Sequence, residues 1–139
     1  MGKVTTGIRS TDAPDPVALA ILWDGYYSST YLGSVHGQAS DFAEDPAEVK
    51  RRVIDATGWL LDRGLLRLYS VDNTRSPDDV RVPWIGTTAE QLAQLDAVYT
   101  YDAEDWHDWW YSCWFQNAEA GDALAEANPP EPWTDHDDD

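Results

Sequence analysis

The chain has 139 residues, 26 Asp and Glu against nine Lys and Arg, and a net charge of −17. All nine cations fall in residues 1–81, beside 12 acids; residues 82–139 hold 14 acids and no Lys or Arg. So acidic a half repels nucleic acid and anionic membrane and attracts basic partners, and the single Cys113 excludes an intramolecular disulfide or a cysteine-based zinc site.

Length and composition predict one domain with an ordinary packed core. Residues 1–13 are polar and read as a loose N-terminus. They contain no apolar run that would serve as a signal peptide, and no stretch of the chain approaches the ~20 apolar residues of a membrane span. Met1 to Thr6 fits the loose myristoylation pattern, which is too short and common to carry weight. A reduced, cytoplasmic setting is the expectation.

Asp15 and Pro16 open a short helix through Trp23, apolar nearly all round and therefore expected to be buried, with a stop near Gly25. Tyr26 to Thr30 reads as a turn, and Tyr31 to Ala39 as a second short helix weakened by Gly33 and Gly37. The strongest signals lie from Asp45 to Leu68. Asp45 is a good N-cap, Pro46 suits the first helical position, and Glu48 stands three after the cap as a capping box requires. Val49, Val53, Ala56, Thr57 and Leu60 form one apolar stripe, and Gly64 is the stop. Gly58 conflicts with the helix by about 1 kcal/mol relative to Ala; close approach of another element would explain it. Leu65 to Val71 reads as a strand pairing with Ser112 to Phe115 or with Val80 to Trp84, where Pro83 ends the pairing. Asn73 to Asp79 is a turn-rich loop. Thr87 and Thr88 before Glu90 predict a helix from about Ala89 to Val98. Asp102 to Tyr111 is expected to be helical, Trp114-Phe115 a strand, and Asn117 the N-cap of a helix ending near Asn128. Residues 129–139 read as a disordered acidic tail.

The order of three helices, a Gly-Leu strand, a loop, a strand and a helix resembles a winged-helix domain. Leu60-Leu61-Asp62-Arg63-Gly64-Leu65-Leu66-Arg67-Leu68 is similar to the end of a winged-helix recognition helix running into the wing. Trp114-Phe115-Gln116-Asn117-Ala118-Glu119-Ala120-Gly121-Asp122-Ala123-Leu124 resembles the closing strand and helix of many bacterial members. The resemblance implies an α+β fold: a winged-helix-like three-helix core with a small antiparallel wing sheet over residues 14–128, an acidic Trp-rich helical insertion at 84–111, and a C-terminal helix.

Two groups of residues are candidate sites. Lys50, Arg51 and Arg52 occupy the first turns of the helix that, in winged-helix DNA binders, enters the major groove. A DNA-binding face needs several cations to release counterions, and only Arg67, Arg75 and Arg81 add to these three. The missing basic wing decides for the other reading, a solvated face pairing with Glu48 and Asp55. In the second group, Trp106, Trp109, Trp110 and Cys113 share one helical face, with Asp105 and Asp108 on another. The pattern is either a packed aromatic stripe under an acidic surface or an interface. As an interface, Asp102, Glu104, Asp105, Trp106, Asp108 and Trp110 would contact a basic protein, since aromatic anchors and complementary charge are what such surfaces use. His107 and His136 have acidic neighbours but no metal-ligand spacing, and Asp135 to Asp139 lacks the glycine of a calcium loop. No Gly-x-Ser-x-Gly, phosphate loop or His-Glu-x-x-His is present, so no enzyme, metal or cofactor is expected. The leading expectation is a non-enzymatic acidic protein-binding module, an immunity protein or antitoxin masking a basic partner such as a nucleic-acid-cleaving toxin. A winged-helix transcription regulator is the alternative, and a DNA mimic a further one.

Overall fold

The computed structural model describes residues 15–72, 80–101, 104 and 109–129. The first helix, α1 (Pro16–Asp24), begins as its sequence dictates: the Asp15 carboxylate accepts from the Val17 amide at 2.7 Å, and Pro16 fills the first turn. Gly25 caps its end, and Val17, Ala18, Ile21 and Leu22 are buried. Residues 29–31 are not a turn leading into helix. They form a strand, β1 (Ser29–Tyr31), and the second helix, α2, runs Leu32–Ala39. A strand of three residues has too little alternation to be read locally; it exists because another strand pairs with it. A 3-10 turn, Ser40–Phe42, leads to the long helix α3 (Pro46–Asp62).

All five residues of the predicted α3 stripe are buried. Fully burying Leu60 alone is worth about 1.5–3 kcal/mol. The end of α3 is a complete Schellman motif: Leu65 N–H bonds Leu60 C=O at 3.0 Å, Gly64 N–H bonds Leu61 C=O at 3.1 Å, and Gly64 takes φ +69°. The start departs from expectation. Asp45 occupies the N-cap but its side chain makes no cap bond, and the Glu48 carboxylate that would close the box from the other side is turned to Arg51 and Arg52.

Strands β2 (Leu66–Asp72), β3 (Val80–Pro83) and β4 (Trp114–Asn117) complete an antiparallel sheet of order β1-β4-β2-β3. Both partners expected for Leu65 to Val71 are therefore real. Leu68 opposes Phe115 on one side, and Val71 opposes Arg81 on the other. Pro83 has no amide to donate, yet the ladder continues one step beyond it, from Trp84 N–H to Leu68 C=O at 3.0 Å.

Helix α4 (Thr88–Val98) starts with a full capping box between Thr87 and Glu90. It packs on α3 and explains Gly58, where a Cβ would stand 2.9 Å from Leu92 Cδ1. The last helix, α5 (Glu119–Ala127), is capped at Ala118 rather than at Asn117. Asn117 instead ends β4 and turns its amide inward, to Leu22 C=O at 2.8 Å and Asp122 Oδ1 at 2.9 Å. Among the described residues five helices and the four-stranded sheet thus share one core, with Phe115 fully buried between Thr30 and Leu68 on the inner face of the sheet. No helix among the described residues is long and apolar enough to cross a membrane.

Candidate functional site

The basic turn of α3 is consumed by carboxylates. Arg51 pairs with Glu48 and with Asp55, the latter at 2.8 Å, and Arg52 reaches Glu48 at 3.3 Å. The Arg51 hydrogen bond is the main cause holding the Glu48 carboxyl below its ordinary range, and the same bond raises the Arg51 guanidinium. Lys50 reaches across to α4, pairing with Asp96 Oδ1 at 2.9 Å and donating to the Asp96 carbonyl at 3.2 Å. Its ammonium also lies over the rings of Tyr99 (5.7 Å) and Tyr101 (5.8 Å). The three cations predicted from sequence are therefore together, but each is matched by an acid, and α4 lies along the same helix.

The acidic, Trp-rich stretch is described in part. Asp102, Asp105, Trp106 and Asp108 lie outside the described residues, as do His107 and His136. Glu104 is exposed. Trp110 is half-buried, its indole seated on Gly33: a Cβ there would lie 2.2 Å from the ring, so only glycine at this point of α2 admits it. Trp109 is 3 % exposed, stacked on Tyr99 (5.6 Å, 19°) and met edge-on by His36 (5.2 Å). His36 Nδ1 shares a hydrogen bond with the Tyr99 hydroxyl, and burial lowers the His36 pKa below its usual value. Cys113 is fully buried, and burial pushes its thiol up. Two of the aromatics read from sequence thus belong at least partly to the core.

Two features had no signal in the sequence. The outer face of the sheet carries an aromatic stack. Trp114 lies between Tyr69 (6.2 Å, 18°) and Tyr111 (6.1 Å, 26°), with Tyr31 against Tyr111 at 4.7 Å. The Arg81 guanidinium covers Tyr69 at 4.9 Å, and the Tyr69 hydroxyl donates to Ser29 Oγ at 3.0 Å.

Beside this stack opens a polar cleft of about 410 Å³, lined by Tyr27, Ser28, Ser29, Arg81, Gln116, Asn117 and Asp122. Tyr27 adopts φ 52°, a left-handed conformation costing roughly 1–3 kcal/mol for such a residue. It is held there by Asp122 Oδ1, which accepts its amide at 3.0 Å, and by Glu126, which accepts its hydroxyl at 2.7 Å. Tyr26 also donates to Glu126, and these two phenols keep the Glu126 carboxyl below its ordinary range. Nothing in the spacing of the doubled tyrosines at positions 26 and 27 points to α5.

Among the described residues no group of three His, Cys, Asp or Glu is placed to hold a metal ion. Comparison with protein-family models, with curated proteins and with solved structures gave no match.

Proposed function

We propose that this chain is a non-enzymatic acidic protein-binding domain whose partner is a basic protein. The observation that carries the reading is the fate of Lys50, Arg51 and Arg52. Glu48, Asp55 and Asp96 match their charge, and α4 packs along the helix that would otherwise meet DNA. Phosphate contacts require cations that release counterions, and these three are already spent within the protein. The surface left to act at long range is the acidic one, suited to steering a basic partner. The element order helix, strand, helix, helix, strand, with β4 closing beside β2, supports a winged-helix-like core carrying an inserted helix. On that core the masking role of an immunity protein or antitoxin is the reading we favour over a transcription regulator.

The test pairs two measurements. Duplex DNA should be bound more weakly than ~10 µM at physiological salt, outside the range of specific recognition. A partner captured from the source cells should be basic, should associate more slowly as salt rises, and should bind the Lys50→Gln/Arg51→Gln/Arg52→Gln variant as well as the parent. Salt-sensitive submicromolar DNA binding, or loss of the partner with those three cations, refutes the reading.

A further inference from the structure

Lys50, Arg51 and Arg52 are paired with acids, whereas Arg81 lines the polar cleft. No described carboxylate lies within ion-pair distance of it. Its guanidinium is held flat on the Tyr69 ring, and that ring is itself anchored through its hydroxyl to Ser29. Accepting from Tyr69 leaves the Ser29 hydroxyl its own proton to donate into the cleft. Asp122 lines the same cleft. Its Oδ1 is occupied by the Tyr27 and Asn117 N–H groups, while no described residue donates to Oδ2. The two opposite charges thus share one cleft and do not pair with each other.

Asn117 lines the same cleft, and its amide fixes how that wall is built. It is 9 % exposed, its Nδ2 is fixed between two acceptors, and its Oδ1 accepts no hydrogen bond among the described residues. Flipping the amide would set Oδ1 against the Leu22 carbonyl and the Asp122 carboxylate, so its orientation is forced.

We propose that this cleft binds a small zwitterion, a free α-amino acid, with its carboxylate on Arg81 and the Ser28 and Ser29 hydroxyls and its ammonium toward Asp122. A planar guanidinium suits a carboxylate's two oxygens, and a carboxylate in the same cleft rewards a ligand bearing both charges over one bearing either. The cleft's volume admits an amino acid with its side chain against Tyr27, which is 69 % exposed at the rim. The assignment does not rest on the acidic protein-binding reading, so each stands or falls alone.

The experiment screens the free L-amino acids by thermal shift at ~10 mM, a concentration at which a weak ligand still raises the melting temperature. Each hit is then titrated by NMR beside its N-acetyl and its amide derivatives, which each lack one charge. Expected are saturable binding of at least one amino acid and at least ~10-fold weaker binding of both derivatives, one lost charge-assisted contact being worth about that factor. Arg81→Gln should weaken the parent amino acid similarly. Asp122→Asn, which retains an oxygen for the Tyr27 amide, should do the same. No amino acid bound at ~10 mM, a derivative binding as well as its parent, or an Arg81→Gln protein that is folded by circular dichroism and binds unchanged would each overturn the assignment.

Discussion

Gly121→Ala isolates how tightly α5 is seated, and with it Asp122. On an exposed helix this substitution would gain about 1 kcal/mol of helix propensity. Here the new Cβ would stand 2.2 Å from the Leu65 carbonyl oxygen, with Leu22 Cδ2 at 3.2 Å. The obstacle is backbone, and the same carbonyl accepts the Ala118 amide at 2.9 Å, so α5 has to move by about an ångström and loosen that bond. Overpacking of this kind costs about 1–3 kcal/mol, and a weakened hydrogen bond about 1 kcal/mol more. After subtracting the propensity gain, the expected net loss is about 2 kcal/mol, near 8 °C in Tm for a domain of this size. Gly37→Ala is the internal control. It lies within α2 and nothing approaches its Cβ within 4 Å, so it should stabilise by up to about 1 kcal/mol. Gly58→Ala falls between, because the atom it meets is the end of the Leu92 side chain and can swing away. Urea and thermal unfolding followed by circular dichroism give the order Gly37→Ala, Gly58→Ala, Gly121→Ala. A Gly121→Ala protein that melts at or above the parent refutes the packing argument.

Three other outcomes follow from the same geometry. Trp110→Ala should lose about 2–3 kcal/mol, somewhat less than a fully buried Trp, while exposed Glu104→Lys should change stability by less than about 0.5 kcal/mol; denaturant midpoints separate them, and a Trp110→Ala midpoint equal to the parent's would free that indole to be an interface anchor. The His36 pKa is lowered in the fold, so the unfolded chain binds its proton first: stability contributed by neutral His36 is present above the ordinary value of 6.5 and is lost as pH falls from there toward the lower folded pKa. The difference in Tm between the parent and His36→Gln should therefore shift across that window, and a constant difference from pH 8 to pH 5 would remove His36 from the linkage. Cys113 should react with a thiol reagent at least ~100-fold more slowly in the native protein than in denaturant, since burial disfavours its thiolate; equal rates would place it at the surface.

What the sequence made legible was local. Helix α3 could be read because its stripe, its proline and its Gly64 stop act within one element, and Thr87 with Glu90 announced α4 for the same reason. Even within α3, the Asp45 carboxylate makes no cap bond, and Glu48 pairs with Arg51 and Arg52 rather than closing the box. Strand β1 could not be read, since Ser29, Thr30 and Tyr31 are a strand only by virtue of Gln116, Phe115 and Trp114. Asn before a helical pattern is the usual cap signal, but the Asn117 amide donates to the Leu22 carbonyl, on an element 95 residues away. The cleft lies further still from any motif. Tyr27, Arg81, Gln116 and Asp122 come from a corner, an edge strand, a central strand and a helix. No spacing rule joins them, and Arg81 on its own is one basic residue among nine.

The position of β4 has a consequence for how the molecule comes into being. It is the last strand to leave the ribosome and lies second in the sheet, between the earliest strand and β2. During vectorial synthesis β1 has no neighbour and β2 has only the hairpin partner β3 until Trp114 to Asn117 emerge. The nascent chain can gather its helices early, but the edges of β1 and β2 that β4 joins stay open, and Thr30 and Leu68 face a gap the size of Phe115. Closing that gap joins ends of the chain far apart in sequence, a pairing whose entropy is paid before its contacts form and which sets a slow final step.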